Sequence, residues 1–495
     1  MLAARSICAV RHNGPMDTAF LSATRLIRAL RSKKIGALEL LDLYAQRIRK
    51  YNDVLNALPV LDLDAARKRA KAFDRKGAKS GPLAGLPMTV KESFDLAGHP
   101  TTWGLTEYAK VKATRNAVAV ERFLRAGGNV FGKSNVPTLL ADWETVNPVY
   151  GRTVNPWNHE RTPGGSSGGA AAALATGLTG LEAGSDIGGS IRNPAHCCGV
   201  YGHKSTFGIC SMAGHALPGA AHPADISVIG PLARSADDLE LGFSLMAGPD
   251  EIDGAGWKLA LPRPARKTLR GWRVAVLTTH PTAETDGTVQ ESIRGLAQFL
   301  ARKGAKVSER ALPAFDLGEA HRVFIQLLRG ATSGRLSAEV FARMAAAKES
   351  LDPGDHGYYA QMVRANVQPH KDWLIASNRR HQMRLAWAAF FKDWDVLLTP
   401  NAATAAFPHS MPGERWERMI TVNGKPQPAT TQMWWAGMAG MCYLPGTAAP
   451  IGLSPEGLPL SVQIVGPQYG DRTCIAFARL LEREFHAFVA PPGYA

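Results

Sequence analysis

Residues 163–194 read PGGSSGGAAAALATGLTGLEAGSDIGGSIRNP. Two serine-bearing glycine clusters, GGSSGG at 164–169 and GSDIGGS at 184–190, flank an alanine-rich segment that predicts a short buried helix. Glycine on both sides of a serine lets the main chain reach positive φ and approach another group closely. Successive N–H groups in such turns converge on one point and form a small anion-binding nest. A serine beside a nest has what acyl transfer needs, a nucleophile and donors where an oxyanion would develop. The plainer reading is close-packing glycine in tight turns.

A second stretch upstream separates the two readings. GLPMTVKES, residues 85–93, carries Lys91 at the end of an apolar, β-prone run. A lysine held inside loses hydration, which disfavours its ammonium form and makes it a base near neutral pH. Such an amine can take a proton from a serine, directly or through a second serine. Alone, Lys91 reads as an ordinary solvated lysine at a strand end.

Together, Lys91 after its strand, GGSSGG, and GSDIGGSIR resemble the fingerprint of the amidase signature family, and the serines at 166 and 190 stand 24 positions apart, as in that family. The resemblance continues through CGVYGHKSTFG, 198–208, with Ser205 where the family usually has proline, and resumes in PGTAAP, 445–450, and in 457–467. It implies an α/β fold, a mixed, twisted central sheet covered by helices on both faces. It also implies a Ser–Ser–Lys triad: Ser190 as nucleophile, Ser166 (after a cis peptide bond) as proton relay, Lys91 as base. The oxyanion hole would be the N–H groups of Ile187, Gly188, Gly189 and Ser190, with Ser167, Asp186 and Arg192 holding the loops by hydrogen bonds. No metal or cofactor is expected. The implied activity is hydrolysis of C–N bonds in small amides, apolar or aryl, with carbamates and esters open to the same acyl-enzyme chemistry. The alternative is a glutamine-hydrolysing component of a partner enzyme, although LLADWETVNPVY, 139–150, resembles general amidases more than those components.

Two other motifs compete. GGNVFGKS, 127–134, satisfies the phosphate-loop pattern GxxxxGK[ST], but a helix is expected before it and a strand inside it, the reverse of what that loop requires. GSSGG, 165–169, matches the hydrolase elbow with Ser167 as nucleophile, yet NHERTP before it is not a strand.

The chain has 495 residues, 45% of them hydrophobic and 20% charged, ordinary values for a substantial globular core. Residues 1–15 read as a tail outside the fold, and 16–495 as one catalytic domain. Within it, 16–80 are N-terminal helices, 81–260 the signature core, 261–440 a variable helical and loop region lining the substrate pocket, and 441–495 the completion of the core. The net charge is +15, and many early basic residues, Arg25, Arg28, Arg31, Arg47 and Arg69 among them, fall opposite apolar helix faces. A solvated face is expected there rather than a nucleic-acid surface. Six cysteines lack CxxC spacing, which fits buried thiols in a reducing compartment, the cytoplasm by default; a monomer or homodimer is expected. No run of apolar residues is long enough to span a membrane. Residues 401–428 read as a loop-rich segment, and the Met/Trp segment 433–441 as either core or pocket wall.

Overall fold

The computed structural model describes residues 17–76, 81–221, 224–264, 266–409 and 413–495. The expected tail at 1–15 lies outside them. An eight-stranded mixed sheet carries the fold. In spatial order its strands are Lys306–Ser308, Arg273–Val276, Val396–Pro400, Pro459–Val465, Gly446–Leu453, Tyr201–Lys204, Val228–Ala233 and Glu182–Asp186. The first three run parallel and all other neighbours antiparallel. A three-stranded sheet places Asn129–Ser134 between Val60–Leu61 and Pro87–Lys91. Two main-chain hydrogen bonds, Gly180 to Pro87 at 3.2 Å and Thr89 to Leu181 at 3.3 Å, bring this sheet alongside the edge strand Glu182–Asp186. Lys91 and the second glycine cluster therefore meet although the sequence separates them widely.

The N-terminal helices, Ala23–Arg31 and Ala37–Leu55, form where the apolar periodicity puts them, burying Leu26 and Ile27 on one and Leu40, Leu41, Tyr44 and Ile48 on the other. Their first N–H groups are capped from a distance. Asp238 accepts from Ala23 and Thr24, and Asp74 of the third helix accepts from Ala37 and Leu38. The solvated-face expectation holds for Arg25, Arg28 and Arg31, which lie toward solvent, but fails for Arg47 and Arg69. Arg47 donates to the carbonyls of Thr176, Gly177 and Tyr494, and Arg69 to Asn129 Oδ1 and the Val130 carbonyl. Arg47 staples its helix to two chain segments and Arg69 staples its helix to the strand Asn129–Ser134, contacts that amphipathic spacing does not reveal.

The predicted buried helix is Gly168–Ala175, with every residue buried. A Cβ at Gly169 would lie 2.3 Å from the Asn135 nitrogen, so glycine is what lets this helix sit against the 135 loop. Four further helices, Leu317–Ser333, Ala338–Glu349, Tyr358–Asn366 and His370–Asp393, lie within residues 261–440. The first and last of them, Leu317–Ser333 and His370–Asp393, pack with Trp434 and Trp435 into a second core that includes Phe324, Leu327 and Trp387. The segment 401–428 is not all loop. Met419–Val422 pairs with Lys425–Pro428 as a hairpin, closed by Asn423-Gly424 at φ 51° and 75°. Asn-Gly is the two-residue turn whose left-handed conformation matches the twist of paired strands.

Candidate active site

Lys91 ends its strand fully buried, and its Nζ donates to Ser166 Oγ at 2.7 Å and to Ser185 Oγ at 3.0 Å. Burial pushes the lysine down to about 7, with Asp186, Glu182 and Glu92 pulling the other way. Beside it, burial drives the Glu182 carboxyl up to about 8 against a 2.5 Å hydrogen bond from Thr89 Oγ1. Burial thus moves both groups toward their neutral forms.

The peptide bond between Gly165 and Ser166 is cis. The first glycine loop is anchored from outside: Thr145 Oγ1 donates to the Gly164 carbonyl at 2.8 Å, and Gly165 N–H to Asn193 Oδ1 at 3.2 Å. Ser167 joins the two loops through its main chain, with its N–H on the Ser190 carbonyl at 3.1 Å. Its hydroxyl, expected to hold the loops, has no hydrogen-bond partner among the described residues, being enclosed against Gly184.

Asp186 organises the second loop. Its carboxylate accepts from Gly189 N–H at 2.9 Å and Ile191 N–H at 3.0 Å, and meets the Arg192 guanidinium at 3.0 and 2.7 Å. Burial alone would raise this carboxyl, but Arg192, with Lys204 and the Ile191 N–H, outweighs it and holds the group well below the usual range. Arg192 goes on to the carbonyl of Ala436, in the helix Met433–Gly440, and to Gln463 Oε1, so the loop is tied to that helix and to the strand Pro459–Val465. Here one expectation changes. The Gly189 N–H is taken by Asp186, whereas those of Ile187, Gly188 and Ser190 donate to no protein acceptor among the described residues. Trp143 Nε1 holds the Gly188 carbonyl at 3.1 Å.

Ile187, Gly188 and Ser190 form part of the wall of a cavity of about 280 Å³. Much of the remaining wall is apolar, with Leu139, Leu140, Leu328, Met344, Phe407 and Met433 among its side chains. Of the Met/Trp segment, Met433 reaches the cavity, whereas Trp434 and Trp435 are buried in the second core, Trp434 stacked on His280. Sequence reasoning assigned no part to Ser185, although it lies inside GSDIGGS, nor to Trp143 or Glu182. It also passed over four arginines of the cavity wall, 329, 335, 415 and 418, which belong to no motif.

The competing motifs end differently. The phosphate-loop lysine, Lys133, is fully buried in the strand Asn129–Ser134 and donates to the Pro100 carbonyl and Thr101 Oγ1, so it faces no open cradle. Cys197 and Cys198 are buried free thiols, and burial pushes Cys197 up to about 12. Among the described residues no group of three or more His, Cys, Asp or Glu could hold a metal ion, and no helix is long and apolar enough to cross a membrane.

Known proteins resemble this chain along nearly all of it. The family model described as Amidase matches residues 39–475. An indoleacetamide hydrolase of Bradyrhizobium diazoefficiens is 32% identical over 474 residues, covering 93% of this chain and 86% of the relative. A glutamyl-tRNA(Gln) amidotransferase component from Synechococcus is 30% identical, covering 97% of this chain and 99% of the relative. The crystal structure of a bacterial aryl acylamidase of the amidase signature family superposes with a TM-score of 0.77 at 23% identity, covering 94% of this chain and 96% of that one, a likeness of fold. By sequence, extent and fold, the chain belongs to the amidase signature family of amide hydrolases.

Proposed function

We propose that this protein hydrolyses the C–N bond of small amides through an acyl-enzyme, with Ser190, Ser166 and Lys91 as its catalytic residues. The observation that carries the reading is the buried Lys91 amine, 2.7 Å from Ser166 Oγ, close to a loop whose Ser190 borders the cavity. Ser190 Oγ attacks the carbonyl carbon, and its proton passes through Ser166 to neutral Lys91. The C–N bond then breaks, and the same proton returns through Ser166 to the leaving nitrogen. Water repeats the sequence on the acyl ester and releases the acid. The N–H groups of Ile187, Gly188 and Ser190 receive the oxyanion, and losing one such donor costs roughly 3 kcal/mol of transition-state stabilisation. Asp186 and Arg192 position that loop.

The largely apolar wall favours an apolar or aryl acyl part, in keeping with the relative named for indoleacetamide. Carbamates and esters share the chemistry. The reading requires no metal or cofactor and places the protein in the cytoplasm as a monomer or homodimer. A second reading, a glutamine-hydrolysing component of a larger enzyme, draws on the relatives named for glutamyl-tRNA(Gln) amidotransferase. It predicts that activity depends on a partner protein.

The test is turnover of a nitroanilide and its matched nitrophenyl carbamate by the purified chain and by Ser190→Ala. We expect the variant to lose about a thousandfold or more. Wild-type activity in the variant would remove Ser190 as nucleophile, and glutaminase activity seen only with an added partner would favour the second reading.

A further inference from the structure

Four arginines line the cavity against one acidic residue, Asp142. Arg418 is committed to that aspartate at 2.6 Å. Arg335, from the segment after the helix Leu317–Ser333, is exposed and sits over the Trp103 ring at 4.8 Å. The other two are less well satisfied. Arg329 reaches Tyr358 Oη, but its Nε is buried without a partner. Arg415, half-buried, makes no hydrogen bond or ion pair among the described residues, and its Nε is likewise buried and unpartnered. Burial lowers the Arg415 pKa, and Arg329 adds to that by repulsion, with Tyr358 and Asp142 offsetting only part.

Leaving a buried donor unsatisfied is destabilising, and more so for a charged group. Holding like charges together adds to it. Such an arrangement is stable against a counter-anion, and a guanidinium fork fits a carboxylate in a bidentate pair. No carboxylate of the described residues fills that role for Arg329 or Arg415. Both side chains face the same cavity as Ser190.

We propose that Arg415 and Arg329, with Arg335 at the side, form a carboxylate subsite, so that the preferred substrate is an amide whose apolar body ends in a negatively charged carboxylate. The inference rests on the amide-hydrolase reading for its substrate class, but the anion site is testable without turnover. No covalent step is added to the mechanism. The carboxylate anchors one end of the molecule while the amide carbonyl lies at Ser190.

The experiment compares 4-nitroanilides of succinic, glutaric and adipic acid, each with a free terminal carboxylate, against their methyl esters, following nitroaniline release. At the chain length that spans the site, the free acid should exceed its ester in kcat/KM by roughly tenfold or more, the range of a charge-assisted pair. Arg415→Gln and Arg329→Gln should each collapse the acid-to-ester ratio toward one. Equal kcat/KM for acid and ester in the wild-type chain, which needs no variant to fold, overturns the proposal. In parallel, calorimetry on Ser190→Ala measures binding of the glutaric acid anilide and its ester. Tighter binding of the acid, lost when Arg415→Gln is added, supports the subsite even if no anilide is hydrolysed, in which case the hydrolase reading falls and the anion site stands. Acid and ester binding equally, or neither binding, means solvated arginines only and overturns it.

Discussion

The glycine-rich cradle and the helical cap face each other across one cavity, and they are built on opposite principles. In the cradle every residue from 162 to 186 is buried, and Asp186 alone gathers three main-chain N–H groups and a guanidinium. In the cap the helix Ala338–Glu349 has no buried residue, and two arginines of the cavity, Arg329 and Arg415, keep an unpaired donor. Reacting groups need fixed geometry, since small displacements forfeit transition-state contacts. Substrate recognition tolerates a looser wall and gains from donors left unpaired until a ligand arrives. Under the proposed function, chemistry sits in the core and selectivity in the cap.

The comparison breaks first if the cradle does not depend on its charge pair. Asp186→Asn leaves the buried Arg192 without its counter-charge and should destabilise the fold by roughly 3–5 kcal/mol, read by chemical denaturation. A change below about 1 kcal/mol would show that the loop is held by the remaining hydrogen bonds.

A second prediction concerns the base. Lys91 accepts a proton only when neutral, and burial puts its pKa at about 7. Hence kcat/KM should fall about tenfold per pH unit below that value, roughly a hundredfold by pH 5, and level off above it. A profile flat down to pH 5 would exclude the lysine as base.

On the cap side, Met344→Ala enlarges an apolar wall without touching the cradle. We expect KM for an aryl anilide to rise several-fold with kcat little changed, the signature of lost uniform binding. A fall in kcat alone would place Met344 nearer the reacting atoms than the wall. Smallest of all, Ser167→Ala should leave both stability and kcat within about twofold or 0.5 kcal/mol, because the deleted hydroxyl has no partner. A large loss would reveal a bond made only with substrate bound.

Legibility in the sequence follows the range of the interactions. The buried helix Gly168–Ala175 and the amphipathic N-terminal helices follow from composition and period, because neighbours along the chain decide them. The hairpin closed by Asn423-Gly424 was equally readable, since that dipeptide carries its own turn signal. Arg47 and Arg69 were not, because the main-chain and Asn129 acceptors they hold lie 60 to 447 positions away.

The residues themselves determine that this chain has two glycine-bordered serines, a lysine at the end of an apolar strand, and an Asp and an Arg spaced to bracket the second loop. Those are local facts of side-chain chemistry and backbone freedom. Only the tertiary structure decides that Lys91 meets both Ser166 and Ser185, that Gly189 spends its N–H on Asp186, and that Arg329 and Arg415 share one cavity. Burial and convergence create those properties, and neither is a property of any single stretch.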